Sequence, residues 1–104
     1  HLVRPFVDKR RIMNSTVSLT IAPGIIWRAL DGNAVLLSPF SGDVRVLNGI
    51  GTTVWKQLAE GRSLAEIRAD LLAGYDASVE EIEADLDDFL RALLADGMLR
   101  AARS

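Results

Sequence analysis

A chain of 104 residues, 49% apolar and 25% charged, is long enough for one domain around one hydrophobic core and too short for two. It contains no cysteine, which excludes a disulfide framework, a thiolate nucleophile and a thiolate metal site, and makes the cytoplasm the expected compartment. No apolar run approaches the ~18 to 20 residues of a membrane helix, so no membrane partner is expected, and a net charge of −2 names no partner by itself.

The distribution of charge says more than its sum. Arg4, Lys9, Arg10 and Arg11 crowd the front, while Asp76, Glu80, Glu81, Glu83, Asp85, Asp87, Asp88 and Asp96 crowd the back. Residues 1–16 show neither the two-residue nor the 3.6-residue apolar period and are read as a flexible tail. The basic residues there are not followed by an apolar core, so the segment is not a secretion signal. Met13 would serve as a natural start, which leaves residues 1–12 of undecided origin.

Val17, Leu19 and Ile21 alternate with Ser18 and Thr20, as in a half-buried strand, until Pro23-Gly24 breaks the run. Ile25 to Leu30 is rich in β-branched and aromatic residues, Asp31-Gly32-Asn33 is hairpin chemistry, and Ala34 to Ser38 resumes the strand. After the turn Pro39-Phe40-Ser41-Gly42, Asp43 to Leu47 forms the last strand of a three-stranded meander. Val44 and Val46 fall on one of its faces, Arg45 and Leu47 on the other.

The apolar period then changes to a helical one. Asn48 is a natural N-cap for a helix carrying Val54, Trp55 and Leu58 and stopped by Gly61. Ser63-Leu-Ala-Glu66 is a capping box, opening a second helix with Leu64, Ile67, Leu71 and Leu72 that ends at Gly74. A second box, Ser78-Val-Glu-Glu81, opens the third and longest helix. Its stripe of Val79, Ile82, Leu86, Phe89, Leu90, Leu93 and Leu94 runs to Gly97. Met98 and Leu99 are expected to fold back onto the core, with residues 100–104 fraying. The predicted fold is therefore α+β, a three-stranded antiparallel sheet followed by three helices, in the manner of a winged helix-turn-helix, over residues 17–99.

No set of residues converges on catalysis. Trp55 and Phe89 lie in register with helix leucines and are read as core. Trp27 sits on a strand apolar on both faces and is either buried between sheet and helices or exposed to a partner. His1 is the sole histidine and has no companion ligand. Gly49 and Gly51 flank Ile50, but without a phosphate-loop lysine the pattern is better explained by close packing of the first helix on the sheet. Asp85 and Asp88, three apart on one helix face, would need burial to act as an acid/base pair; a solvated or partner-docking face is the better account. The expected cofactor and metal content is nil, and the chain is not read as an enzyme.

A winged-helix protein invites the idea of DNA binding through its third helix. That helix has the wrong sign: residues 76–96 hold eight acids against Arg91 alone, a balance of −7 that would repel phosphates. Nucleic acid is therefore not the expected partner. The alternative class is an acidic winged-helix protein that docks on another protein in transcription, or a DNA binder using its basic tail.

Pro23-Gly24, Ala34-Val-Leu-Leu-Ser, Gly42 with Leu47-Asn48, Leu58 to Gly61, Leu64 to Ile67 and Phe89-Leu-x-x-Leu-Leu-x-x-Gly97 together resemble the PqqD family, over about residues 17–99. The order and spacing of core leucines and turn glycines carry the likeness; no single motif does. The resemblance implies a winged-helix-like RiPP recognition element. Such domains bind the leader of a ribosomally made precursor peptide and present it to a processing enzyme, a radical SAM enzyme in pyrroloquinoline quinone assembly or a leader-cleaving cysteine protease in lasso peptide clusters.

Independently of that name, a strand that is last in a meander leaves one edge free for an extended peptide. The expected seat is the groove between Asp43–Leu47 and the third helix. Val44, Arg45, Val46 and Leu47 would line it from the strand, and Asp85, Asp88, Phe89, Arg91 and Ala92 from the helix. Asp85 and Asp88 would suit a basic leader residue, Arg45 or Arg91 an acidic one. If loosely held, Val17 to Ile21 would occupy the same edge in the free protein and compete with the leader.

Overall fold

The computed structural model describes residues 17–103. The expectations for the tail, His1 and Met13 fall outside those residues. The chain order is β1 (Val17–Ile21), β2 (Ile26–Leu30), β3 (Asn33–Leu37), β4 (Val44–Val46), α1 (Gly49–Ala59), α2 (Leu64–Gly74), α3 (Val79–Ala95) and β5 (Leu99–Arg103). The α+β class holds, with a meander β2-β3-β4 and a separate antiparallel ribbon β1-β5.

The meander is set by its turn. Asp31 and Gly32 both have positive φ, 53° and 84°, as a two-residue type I′ turn requires, and the turn fixes Leu30 opposite Asn33. From there the register runs Trp27↔Leu36 and Ile26↔Leu37 on one side, and Leu36↔Arg45 and Leu37↔Val44 on the other. Cross-strand partners share a face. Trp27, Leu36 and Arg45 therefore look toward the helices, and Ile26, Leu37 and Val44 look away.

A single buried hydroxyl couples sheet to helix. Thr52 of α1 accepts from the Ala34 backbone N–H at 3.0 Å and donates to the Leu47 carbonyl at 3.0 Å, while the Leu47 N–H donates to the Ala34 carbonyl at 2.8 Å. Every polar group at this junction is thereby satisfied inside the core. Asn48 caps α1 by accepting from the Gly51 N–H, and both predicted capping boxes form at Ser63/Glu66 and Ser78/Glu81. The Ser63 backbone N–H, and then its hydroxyl, hold the Glu66 carboxyl below its ordinary range.

The core gathers Leu36, Leu47, Val54, Trp55, Ile67, Leu86, Leu90, Leu93 and Met98, from the sheet, all three helices and the turn after α3. Trp27 packs on it from the sheet, meeting Trp55 edge to face with ring centroids 6.2 Å apart. Gly51 sits at a close approach, but the neighbour is Phe89 of α3 rather than the sheet: a Cβ there would lie 3.0 Å from the ring. Gly49, by contrast, has open space around it.

Two expectations are corrected at the ends of the described chain. Residues 100–103 do not fray; with Leu99 they form β5, paired with β1 from Val17↔Arg103 to Ile21↔Leu99. Met98 and Leu99, at 0% and 3% exposure, pin the chain beside β1, whose backbone donors and acceptors then need partners. Since β1 is engaged by β5, it does not occupy the edge of β4, and the proposed competition with a leader falls away.

Candidate functional site

The site is built from β4 and one flank of α3. In the β3–β4 pair, the Ser38 N–H donates to the Asp43 carbonyl at 3.0 Å and the Leu47 N–H to Ala34, so Asp43, Arg45 and Leu47 direct their backbone groups inward to β3. The antiparallel alternation then turns the N–H and C=O of Val44 and Val46 outward. β4 ends the sheet order, and none of the described residues pairs with that outer edge. Among the described residues the far edge of β2 is unpaired as well. β4 differs in opening on a cleft, lined by Asp43, Val44, Arg45, Val46, Asp96 and Met98.

Along α3, the spacing of four, three and four residues between Asp85, Phe89, Ala92 and Asp96 places them in one stripe beside the buried stripe of Ile82, Leu86, Leu90 and Leu93. At its C-terminal end, Asp96 forms an ion pair with Arg45. At its N-terminal end, Phe89 and Asp85 help line an apolar cavity of about 300 Å³, whose other walls include Ile50 and Val54 of α1, Leu71 and Tyr75 of α2 and its C-cap, and Ile82 and Leu86. Ile50 and Tyr75 are 49% and 40% exposed, so the cavity opens to solvent past them.

The sequence-derived site residues divide accordingly. Val44, Arg45 and Val46 lie at the open edge, and Asp85, Phe89 and Ala92 on the neighbouring helix stripe, with Asp88 exposed at its outer margin. Leu47 does not line the groove: at 4% exposure it is a core residue, because its face of β4 is the one that packs on the helices. Arg91 lies on another flank of α3, where its Nε donates to the Asp87 carboxylate at 2.8 Å. Val44 and Val46, 62% and 63% exposed, point their side chains away from α3, onto the outer face of the sheet.

Residues not singled out from the sequence complete the arrangement. Asp96 shares the period of Phe89 and Ala92, a signal that was legible. Ile50 and Tyr75 had none, since an apolar residue after a cap and an aromatic after a helix read as ordinary packing. Among the described residues no group of three or more His, Cys, Asp or Glu side chains is arranged to hold a metal ion, and no helix is long and apolar enough to cross a membrane.

Comparison with known proteins gives a consistent picture. A family model described as coenzyme PQQ synthesis protein D (PqqD) matches residues 33–99. The chain is similar to the solved structure of TbiB1 in complex with the TbiA(beta) leader peptide, with 32% identity and a TM-score of 0.75, covering 78% of this chain and 94% of that one. It is also similar to a lasso peptide synthetase B1 complexed with its leader peptide, with 26% identity and a TM-score of 0.72, covering 79% and 96%. No curated protein matches the chain.

Proposed function

The chain belongs to the PqqD family, and from that premise we propose that it is a non-catalytic module that binds the leader of a ribosomally synthesised precursor peptide. The leader adds as a strand to the outer edge of β4, in the cleft beside α3, and is presented there to a processing enzyme in the cytoplasm. The observation that carries this reading is the outward-facing backbone of Val44 and Val46 on an unpaired edge, in a chain whose fold is similar to two leader-peptide complexes.

The energetics define what else the site must supply. Val44 and Val46 offer two donors and two acceptors, so about four hydrogen bonds at about 1 kcal/mol each. That gain is comparable to the cost of association and of ordering a flexible peptide. Apolar burial must therefore provide the surplus, at roughly 1.5 to 3 kcal/mol per side chain. An added strand alternates its side chains between two faces. On one face they meet Phe89 and Ala92; on the other they extend the exposed row of Val44 and Ile26.

The receiving enzyme is proposed to be a leader protease of the lasso type, since one of the two similar structures is a lasso peptide synthetase B1 and both hold a leader peptide. A labelled synthetic leader, taken from the precursor encoded beside this chain, is expected to bind at micromolar concentration or better. Amide exchange at Val44 and Val46 should slow on binding, and duplex DNA should show no saturable binding at moderate salt. Tight leader binding that leaves those two amides exchanging as in the free protein would refute strand addition. Addition of the chain should also accelerate leader cleavage by the cognate protease; an unchanged rate would remove the presenting role.

A further inference from the structure

The two ends of the α3 stripe differ in charge. At the β4 end, Arg45 and Asp96 neutralise each other. At the other end Asp85 stands in the wall of the 300 Å³ cavity, makes no ion pair among the described residues, and has no cationic neighbour in the lining. Asp88, one helical step away, is likewise acidic and exposed, and the arginine of this helix is already held by Asp87. A peptide reaching this end thus meets an apolar hole with an uncompensated carboxylate on its rim.

The cavity and the cleft are lined by different residues, but the chain brings them close together. Val46 flanks the β4 cleft and Asn48, two residues on, already lines the cavity. At about 3.3 Å per residue, a strand paired with Val46 arrives at the cavity within two or three further residues. A volume of 300 Å³ is at the lower limit of small-molecule pockets and suits one inserted side chain better than a cofactor. Asp85 would repel an acidic neighbour of that side chain and attract a basic one.

We infer that this cavity reads one bulky apolar side chain of the bound peptide, accompanied within one or two positions by Lys or Arg whose charge meets Asp85. The inference rests on the leader-binding reading and adds its sequence requirement: apolar anchor and cation next to each other, just beyond the strand-paired segment. Asp85 is exposed, so its contribution is a selectivity of roughly three- to tenfold that salt weakens, while the anchor contributes most of the affinity.

The test is selection from a displayed library of random peptides against the full chain, in parallel with Asp85→Asn and Asp85→Lys, each checked for folding by circular dichroism. The unsubstituted chain should enrich peptides with a large apolar residue beside Lys or Arg. The basic preference should fade with Asp85→Asn and turn acidic with Asp85→Lys, the apolar preference persisting in all three. In a selected peptide, replacing the anchor by Ala should weaken binding at least tenfold. Enriched peptides without a cation beside the anchor, or a basic preference unchanged by Asp85→Lys, would overturn the inference and leave strand addition intact. Enrichment of no peptide would overturn the peptide-binding reading and this inference together.

Discussion

β1 and β4 are both short marginal strands with alternating side chains, and they serve different ends. β1 is paired over all five of its residues with β5 and sends Leu19, 7% exposed, into the core. β4 is paired through three residues and leaves Val44 and Val46 more than 60% exposed, with their backbone groups facing outward. The first strand is consumed by folding. The second is held in place by Thr52 and Leu47 yet retains unused hydrogen-bonding and apolar capacity, which is what strand addition draws on. If leader binding is by strand addition as proposed, stability and binding are housed on different strands, and substitutions should separate them.

Leu19→Ala should show the largest effect, a loss of about 2 to 4 kcal/mol in denaturant unfolding, because it leaves a void where β1 meets the core. Leader affinity measured on the remaining folded protein should not change; a parallel loss would mean that the two strands are coupled. Val46→Pro is the converse. Its N–H points outward, so unfolding should shift by less than about 1 kcal/mol, while leader binding by anisotropy should weaken about tenfold through a lost hydrogen bond and a disturbed edge.

Ser63→Ala, remote from both strands, removes the α2 cap and should cost about 1 kcal/mol of stability with unchanged leader affinity. It provides the calibration for a purely structural loss. Asp96→Asn frees Arg45, and because the pair is about one-third exposed on each side, unfolding should change by less than about 1 kcal/mol. Affinity for a leader with an acidic residue opposite Arg45 should rise slightly in titration calorimetry. The smallest effect is expected at Glu66. Its folded-state pKa is lowered, so its contribution is present above the ordinary value of 4.5 and lost as pH falls through the lower folded value. Acid unfolding of Glu66→Gln should show a shallower pH dependence in that window.

Local chemistry made much of the fold legible. The Asp31-Gly32 hairpin, the Asn48 cap, both capping boxes and the stops at Gly61 and Gly97 are each decided by a few adjacent residues, and each is found where the sequence placed it. β5 was not legible, because Arg100-Ala-Ala-Arg103 has neither alternation nor β-branched residues; it is a strand only because β1 lies beside it. Within the site, the two-residue period correctly separated Val44 and Val46 from Arg45 and Leu47. It gave no indication of which pair would face the helices, and that choice makes Leu47 a core residue.

The sequence by itself determined the strand-then-helix order, the helix ends, the acidic sign of α3 and the kinship to a peptide-binding family, all properties of neighbouring residues or their spacing. Only the tertiary structure decided that β1 is taken by β5, that Asp96 answers Arg45, and that Ile50, Tyr75 and Phe89 line a cavity together with Asp85. Those are relations between residues far apart in the chain. They depend on how helices and sheet settle against one another around a shared core, which the local periods constrain without fixing.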